Sequence, residues 1–171
     1  MYGIDIFDNI KMSLNWTMIY YGIRNNLLRI DIAQDFVYRK MEQGEELLEE
    51  ELELSWHLSN KGDVLELIKK ILDIQGGLEK STKNVADRIR IAIIVYLRNN
   101  EKDVEKLLEQ INSVYADFGY PVDMERFISY MPADDNYNNL HYTVEENRER
   151  LLSKLDCFID EQIKKYDLKK L

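Results

Sequence analysis

An all-α fold is predicted for this chain by three observations. Apolar residues recur at helical spacing through most of its length, capping residues stand where the periodic segments begin, and only seven Gly and two Pro interrupt 171 residues. The expected architecture is an irregular bundle of about seven or eight helices with some helical-hairpin stacking, in a single domain over 1–171. Hydrophobic content of 45% with 11% aromatics belongs to a globular chain and not to a disordered one. A fold of this length buries roughly 70% of its unfolded surface, so it requires neither a disulfide nor a metal staple.

The elements follow in order. A short helix or turn is expected from Asp5 to Lys11, after which Asn15 or Ser13 caps the aromatic-rich segment WTMIYYGIRNN. Asp31 with Gln34 forms a capping-box pattern for a helix to Gln43 that Gly44 ends. A third helix is predicted from Glu45 to Leu58, stopped by Gly62. Asp63 with Glu66 then opens VLELIKKILDI, which Gly76 and Gly77 close.

Between Thr82 and Arg98 the apolar residues Val85, Ala86, Ile89, Ile91, Ala92, Ile93, Ile94, Val95, Tyr96 and Leu97 point in every direction on a helical wheel. Such a helix is buried on all sides. Its β-branched run IAIIV also fits a strand, but the segment length and the charged residues spaced around it favour helix. Asp103 opens the next helix, to Asp117. The segments DVLELIKKILDI and DVEKLLEQINSVY share a leading aspartate and apolar spacing, which is the basis for expecting stacked hairpins.

The stretch YADFGYPVDMERFISYMP, from Tyr115 to Pro132, predicts a rigid elbow. Gly119 ends one helix in the left-handed conformation, Tyr120 is held extended by the proline after it, and Pro121 takes the first position of a second helix stopped by Pro132. Tyr115, Phe118, Tyr120 and Phe127 are expected to pack the corner, with Tyr130 near its exit. Thr143 with Glu146 caps a last helix to about Tyr166.

Net charge of −9 and a pI near 4.8 argue against nucleic acid, because a binder needs a basic surface to neutralise phosphates. A basic protein partner is easier to accommodate. Residues 1–60 carry eleven acids against five bases, so the first third holds most of the imbalance. No run of about 18 apolar residues is present and the N-terminal MYGIDIFDNIK lacks the pattern of an export signal, so no membrane association and a cytoplasmic location are expected. The single cysteine, Cys157, excludes an internal disulfide and fits a reducing compartment.

Candidate functional residues fall in two places. Glu45, Glu46, Glu49, Glu50 and Glu53 fall on one face of the third predicted helix, with Leu47, Leu48, Leu52, Leu54 and Trp56 mainly on the other. That face is either simply solvated or an electrostatic dock for a basic partner, which would relieve a repulsion of a few tenths of a kcal/mol per i,i+4 pair. Glu51 lies nearer the apolar side and should behave differently. The second place is the loop DDNYNNLHYTVE, which is either a capped, Asn-rich surface loop or a binding loop in which Tyr137 and Tyr142 would be anchors beside Asp134 and Asp135.

Metal and catalytic chemistry find little support. Asp134, Asn136, Asn138 and Glu145 match calcium-loop positions, but Asn139 replaces the glycine of the sharp turn and only two of the ligands are charged. Glu53 and His57 are one turn apart without a second such pair, and His141 is the only other histidine. Cys157 projects away from the apolar residues of the last helix and has no histidine placed to activate it. Phosphate-binding glycine loops, nucleophile elbows and zinc-ligand spacings are absent from the sequence. No cofactor, no metal and no enzymatic activity are therefore expected.

The motifs YADFGYP and FISYMP, with NWTMIYYG near the start, resemble the signature of domain-of-unknown-function family 2247. The resemblance implies an all-helical bacterial protein, and some members of the family resemble immunity proteins of polymorphic or contact-dependent toxin systems. It thereby implies that the partner is the C-terminal effector domain of a cognate toxin, expected to be a basic nuclease, bound by a monomer. On that basis Glu46, Glu49, Glu50 and Glu53 would steer association, while Asp134, Asp135, Tyr137 and Tyr142 would add contacts. A non-enzymatic helical adaptor or scaffold fits the charge and fold equally well.

Overall fold

The computed structural model describes residues 1–56, 60–77, 82–133, 135 and 137–168, and over these the chain is all-α. The α-helices among them are α1 (Trp16–Arg24), α2 (Ile32–Glu42), α3 (Glu49–Trp56), α4 (Lys61–Ile74), α5 (Thr82–Asn100), α6 (Val104–Asp117) and α7 (Val144–Lys165). Short 3₁₀ segments occupy Ile4–Phe7, Val122–Phe127 and Asn139–His141, and an isolated parallel bridge pairs Tyr2 with Leu28. Backbone contacts gather the chain into two compact units. One comprises Met1–Asp8 with Met12–Ile89, the other Asn9–Lys11 with Arg90–Leu171. The two segments that hinted at stacked hairpins, α4 and α6, belong to different units.

In the first unit, Asn15 caps α1 as expected, its side chain accepting from the Met18 N–H at 2.9 Å. Gly22 lets the Leu28 side chain lie directly against α1, where an added Cβ would collide with it. The chain turns there through Asn26 (φ 57°), and the N–H groups of Leu27 and Leu28 both bond the Gly22 carbonyl. The capping box predicted for α2 does not form. Asp31 occupies the cap position without capping, and its carboxylate takes Arg29 at 3.1 Å, while Gln34 donates to the Ser55 carbonyl at 2.8 Å. A nearer arginine and a tertiary carbonyl outcompete the box.

The third predicted helix also needs correction at its start. Residues 45–48 are not helical, and α3 begins only at Glu49. The cause is Glu51, whose carboxylate reaches back to the Leu48 N–H at 2.9 Å, one half of a capping box that fixes the helix start there. His57 and Leu58, at the predicted end, lie outside the described residues. The next cap is Asn60 and not Asp63. Asn60 accepts from the Asp63 N–H at 3.1 Å, which places Gly62 inside the first turn of α4.

Glu51 organises this unit. It is fully buried, as its position nearer the apolar side foreshadowed, and it also accepts hydrogen bonds from Trp16 Nε1 at 2.6 Å and Lys40 Nζ at 2.7 Å. Trp16 sets its indole edge-on to Phe36, with centroids 5.0 Å apart. Burial pushes the Glu51 carboxyl up, but Lys40, the Leu48 N–H and Trp16 together outweigh that and hold it below the ordinary glutamate value.

Helix α5 contributes residues through Ile89 to the first unit and from Arg90 onward to the second. Val85, Ile89 and the run Ile91–Val95 are buried, together with Leu97, which agrees with the expectation of a helix enclosed on all sides. Arg90 is 2% exposed and makes a bidentate pair to Asp123 through its two Nη atoms, both bonds 2.8 Å. Arg98 makes a second bidentate pair, to Asp156 on α7, at 2.8 and 3.0 Å. Phe127 and Phe158 meet at 5.0 Å in the same core. Asp103 caps α6 as predicted, accepting from Glu105 and Lys106 at 3.0 and 3.2 Å.

The elbow is present, with two changes. Gly119 takes a φ of 73°, and the Tyr120 N–H bonds the Tyr115 carbonyl while the Gly119 N–H bonds that of Ala116, the paired bonds of a Schellman ending. Tyr120 itself takes a φ of 60°, so it is left-handed where its neighbouring proline suggested an extended residue. Tyr120 offsets this with an edge-on contact to Tyr115 at 5.2 Å. Pro121 is the cap, not the first helical residue, of the 3₁₀ segment Val122–Phe127. Tyr115 and Phe127 are buried at the corner, whereas Tyr120 and Tyr130 stay largely exposed. The Thr143–Glu146 capping box of α7 forms in full.

Because the folded Glu51 carboxyl is the stronger acid, its stabilising contribution is complete above the ordinary glutamate range and is lost as pH falls through the depressed folded value. Glu51→Gln is therefore expected to cost about 3 kcal/mol in urea unfolding at neutral pH, since it strands Lys40, and to lose less further stability than the parent on acidification. A parent and variant with equal acid sensitivity would contradict this. Gly22→Ala is expected to cost about 1–3 kcal/mol in the same assay, through the collision with Leu28.

Candidate partner-binding site

The position of Glu51 dictates what α3 shows to solvent. With Glu51, Leu54 and Ser55 buried, the residues spaced i, i+3, i+4 and i+7 on the opposite side are Glu49, Leu52, Glu53 and Trp56. All four are exposed, Leu52 at 41% and Trp56 at 78%. The sequence assigns Leu52 and Trp56 to the apolar, inward side. The structure corrects this: a glutamate occupies the inward stripe and the tryptophan stands outside beside the acids. Hydropathy gives no sign of the exchange, because the groups that neutralise Glu51 come from Trp16 and Lys40, far away in sequence.

Of the predicted glutamates, Glu49 and Glu53 share this stripe and Glu50 flanks it, half-buried. Glu46 is exposed but lies in the non-helical 45–48 segment, as does Glu45, which sits 3.6 Å from Lys40. Glu49 and Glu50 also stand in the first turn of α3, where carboxylates are favoured by the helix dipole. On α2, Tyr38 is 44% exposed and donates its hydroxyl to the Ser55 carbonyl at 3.0 Å, adding an aromatic ring at the end of α3. The result is a face of carboxylates interrupted by large apolar side chains.

The predicted loop residues lie in the second unit. Tyr137 and Tyr142 stack on each other, centroids 4.5 Å apart and planes 11° from parallel. The Arg150 guanidinium lies 4.0 Å over Tyr137, and since Tyr142 covers one face of that ring, Arg150 must cover the other. Asp135 binds Arg150 at 2.5 Å and Lys154 at 3.1 Å. Lys154 and Arg150 together hold its carboxyl below the ordinary aspartate value against partial desolvation. Tyr137 and Asp135 are thus engaged within the chain, which fastens the loop to α7. Tyr142 remains 49% exposed beside Leu140 and Val144, at 86% and 59%. Asp134 and Asn136 lie outside the described residues.

A groove of about 490 Å³ runs between α6 and α7 past Tyr137, Asn147 and Arg150. Arg148 pairs with Glu105 across it at 2.7 Å. Asn138, a predicted calcium-loop position, instead caps the Leu140 N–H at 3.1 Å. Among the described residues no group of three or more His, Cys, Asp or Glu is placed to hold a metal ion. Cys157 is exposed, as expected. No helix among the described residues is long and apolar enough to cross a membrane.

Helices throughout, an acidic balance and an exposed acidic–aromatic helix face characterise this all-α protein. The chain matches, over residues 4–163, the family described as "Uncharacterized protein conserved in bacteria (DUF2247)", and it belongs to that family. No curated protein and no solved structure matches it.

In side-chain ¹³C NMR the Asp135 carboxyl is expected to titrate below the ordinary aspartate range, and Lys154→Met is expected to move it upward. A carboxyl that Lys154→Met leaves unmoved would show that this pair does not hold the loop in solution.

Proposed function

We propose that the chain is an immunity protein, a non-catalytic binder that covers the C-terminal effector domain of a cognate bacterial toxin and acts as a cytoplasmic monomer. The observation that carries this is the outward stripe of α3, in which Glu49 and Glu53 alternate with Leu52 and Trp56. Long-range attraction and short-range anchoring need different groups, and this stripe holds both. Carboxylates steer a basic partner toward the surface, raising association toward about 10⁸ M⁻¹s⁻¹ at low salt. An exposed tryptophan supplies the desolvated contact in which binding energy concentrates. A net charge of −9 suits a basic nuclease in particular. The resemblance of some family members to immunity proteins supports the same assignment.

Tyr142, with Leu140 and Val144 near it, offers a further apolar contact in the second unit. Tyr137 and Asp135 would serve indirectly, by fixing the loop that presents it.

Co-expression with the C-terminal domain encoded immediately upstream is expected to yield a complex that co-purifies and to protect the cells. Trp56→Ala is expected to weaken that complex by about 2 kcal/mol, mainly through faster dissociation. Replacing Glu49, Glu50 and Glu53 together by Lys is expected to slow association and flatten its salt dependence. If the triple variant binds with unchanged rate and salt dependence, α3 is not the docking face.

A further inference from the structure

The elbow of the second unit gathers tyrosines around one point. Tyr115 is buried near the end of α6 and touches two rings that are not, Tyr120 edge-on at 5.2 Å and Tyr130 tilted at 6.4 Å, each 60% exposed. Burial, and after it the Glu125 carboxylate, push the Tyr115 hydroxyl above the ordinary tyrosine value, and Tyr130 and Tyr120 act on it in the same direction. Two exposed tyrosines and a carboxylate thus lie within electrostatic reach of one hydroxyl. Packing alone explains them poorly. Tyr120 holds a φ of 60°, a conformation that suits glycine or asparagine, yet keeps most of its ring in water.

The chemistry of this cluster selects a cation. Tyrosine faces attract positive charge, and the elbow carries an acidic excess. Asp123 is held by Arg90 and Arg126 by Glu161, whereas Asp117 and Glu125 make no ion pair among the described residues. None of the described Lys or Arg residues stacks on these three tyrosines. The same unit shows which cation such a combination takes, since Arg150 lies over Tyr137 while it pairs with Asp135. A guanidinium does both because it is planar enough to stack and carries donors at its edge. Exposure then selects the source. Small molecules bind in concave sites that bury most of their surface, and with Tyr120 and Tyr130 largely in water and Val122 77% exposed, this surface encloses nothing. A free arginine would also bring its own carboxylate toward Asp117 and Glu125. An arginine within a protein lacks that carboxylate, and the chain around it covers Val122.

We propose that the elbow docks an arginine of a partner protein, its guanidinium set against the exposed rings of Tyr120 and Tyr130 and its N–H groups donating to Glu125. The site belongs to the second unit and rests neither on the acidic stripe of α3 nor on the partner being a toxin.

The full chain with ¹³C-labelled tyrosine rings tests this by NMR at low salt, with the blocked peptide acetyl-Gly-Arg-Gly-amide as the probe. Saturable shifts are expected at the rings of Tyr120 and Tyr130. The citrulline peptide, of the same shape without the charge, is expected to bind about tenfold more weakly and the lysine peptide about threefold more weakly. Propylguanidinium, the cation without a chain, is expected to bind about threefold more weakly than the arginine peptide. Shifts that never saturate, or an equal response to the citrulline peptide, would overturn the cation site. Equal binding of the lysine peptide would overturn the choice of guanidinium, and equal binding of propylguanidinium the assignment to a protein. Tyr120→Phe keeps the ring and is expected to bind within about twofold of the parent, while Tyr120→Asn, at ease in the left-handed backbone, is expected to bind about fivefold more weakly. An asparagine variant that binds like the parent would overturn the proposal by showing that the ring serves packing alone.

Discussion

The buried carboxylate of Glu51 is the constraint on which the first unit depends. Burying a charge is costly unless it is paired and hydrogen-bonded, and here the donors come from three places: Trp16 on α1, Lys40 on α2 and the backbone that opens α3. Each donor therefore fixes one element relative to the others. Removing any of them leaves a charge in the core with incomplete solvation. Because Glu51 has to face inward, α3 has only one rotational setting, and that setting turns Glu49, Leu52, Glu53 and Trp56 outward. The candidate docking surface is a consequence of what lies beneath it.

The second unit uses the same chemistry in a different form. Arginines from α5 and from the 3₁₀ segment Val122–Phe127 reach carboxylates as planar bidentate pairs, Arg90 to Asp123, Arg98 to Asp156 and Arg126 to Glu161. Such forks fix orientation as well as distance. Arg150 does the same for the loop before α7, clamping Asp135 while covering a face of Tyr137. The tyrosines that looked like free anchors in sequence are largely consumed in stiffening that loop. A stiff loop still favours binding, because less freedom is lost when a partner arrives.

The proposed role as a binder rests on placement more than on composition. An acidic chain with solvated carboxylates is ordinary. Carboxylates interleaved with an exposed tryptophan and leucine are different, since one such surface combines long-range attraction with large apolar contact area.

Local signals carried far in this chain. Asn15, Asp103 and the Thr143–Glu146 box start their helices where the sequence places them, Gly44 and Gly119 end theirs, and the uniformly apolar run through Ile94 is enclosed. These features depend on neighbours within a few residues, which the sequence displays in order. It failed where a polar side chain had a choice of partners. Asp31 and Gln34 abandon their box for Arg29 and Ser55, and Glu51 enters the core in place of Leu52 and Trp56. The sequence by itself determined the all-helical class, most helix boundaries and the acidic balance, because propensity, capping and charge count are local or additive. The tertiary structure decided which face of α3 meets solvent and which loop tyrosines stay available. Those outcomes depend on donors and ions brought together from distant positions, and only the folded chain sets their distances.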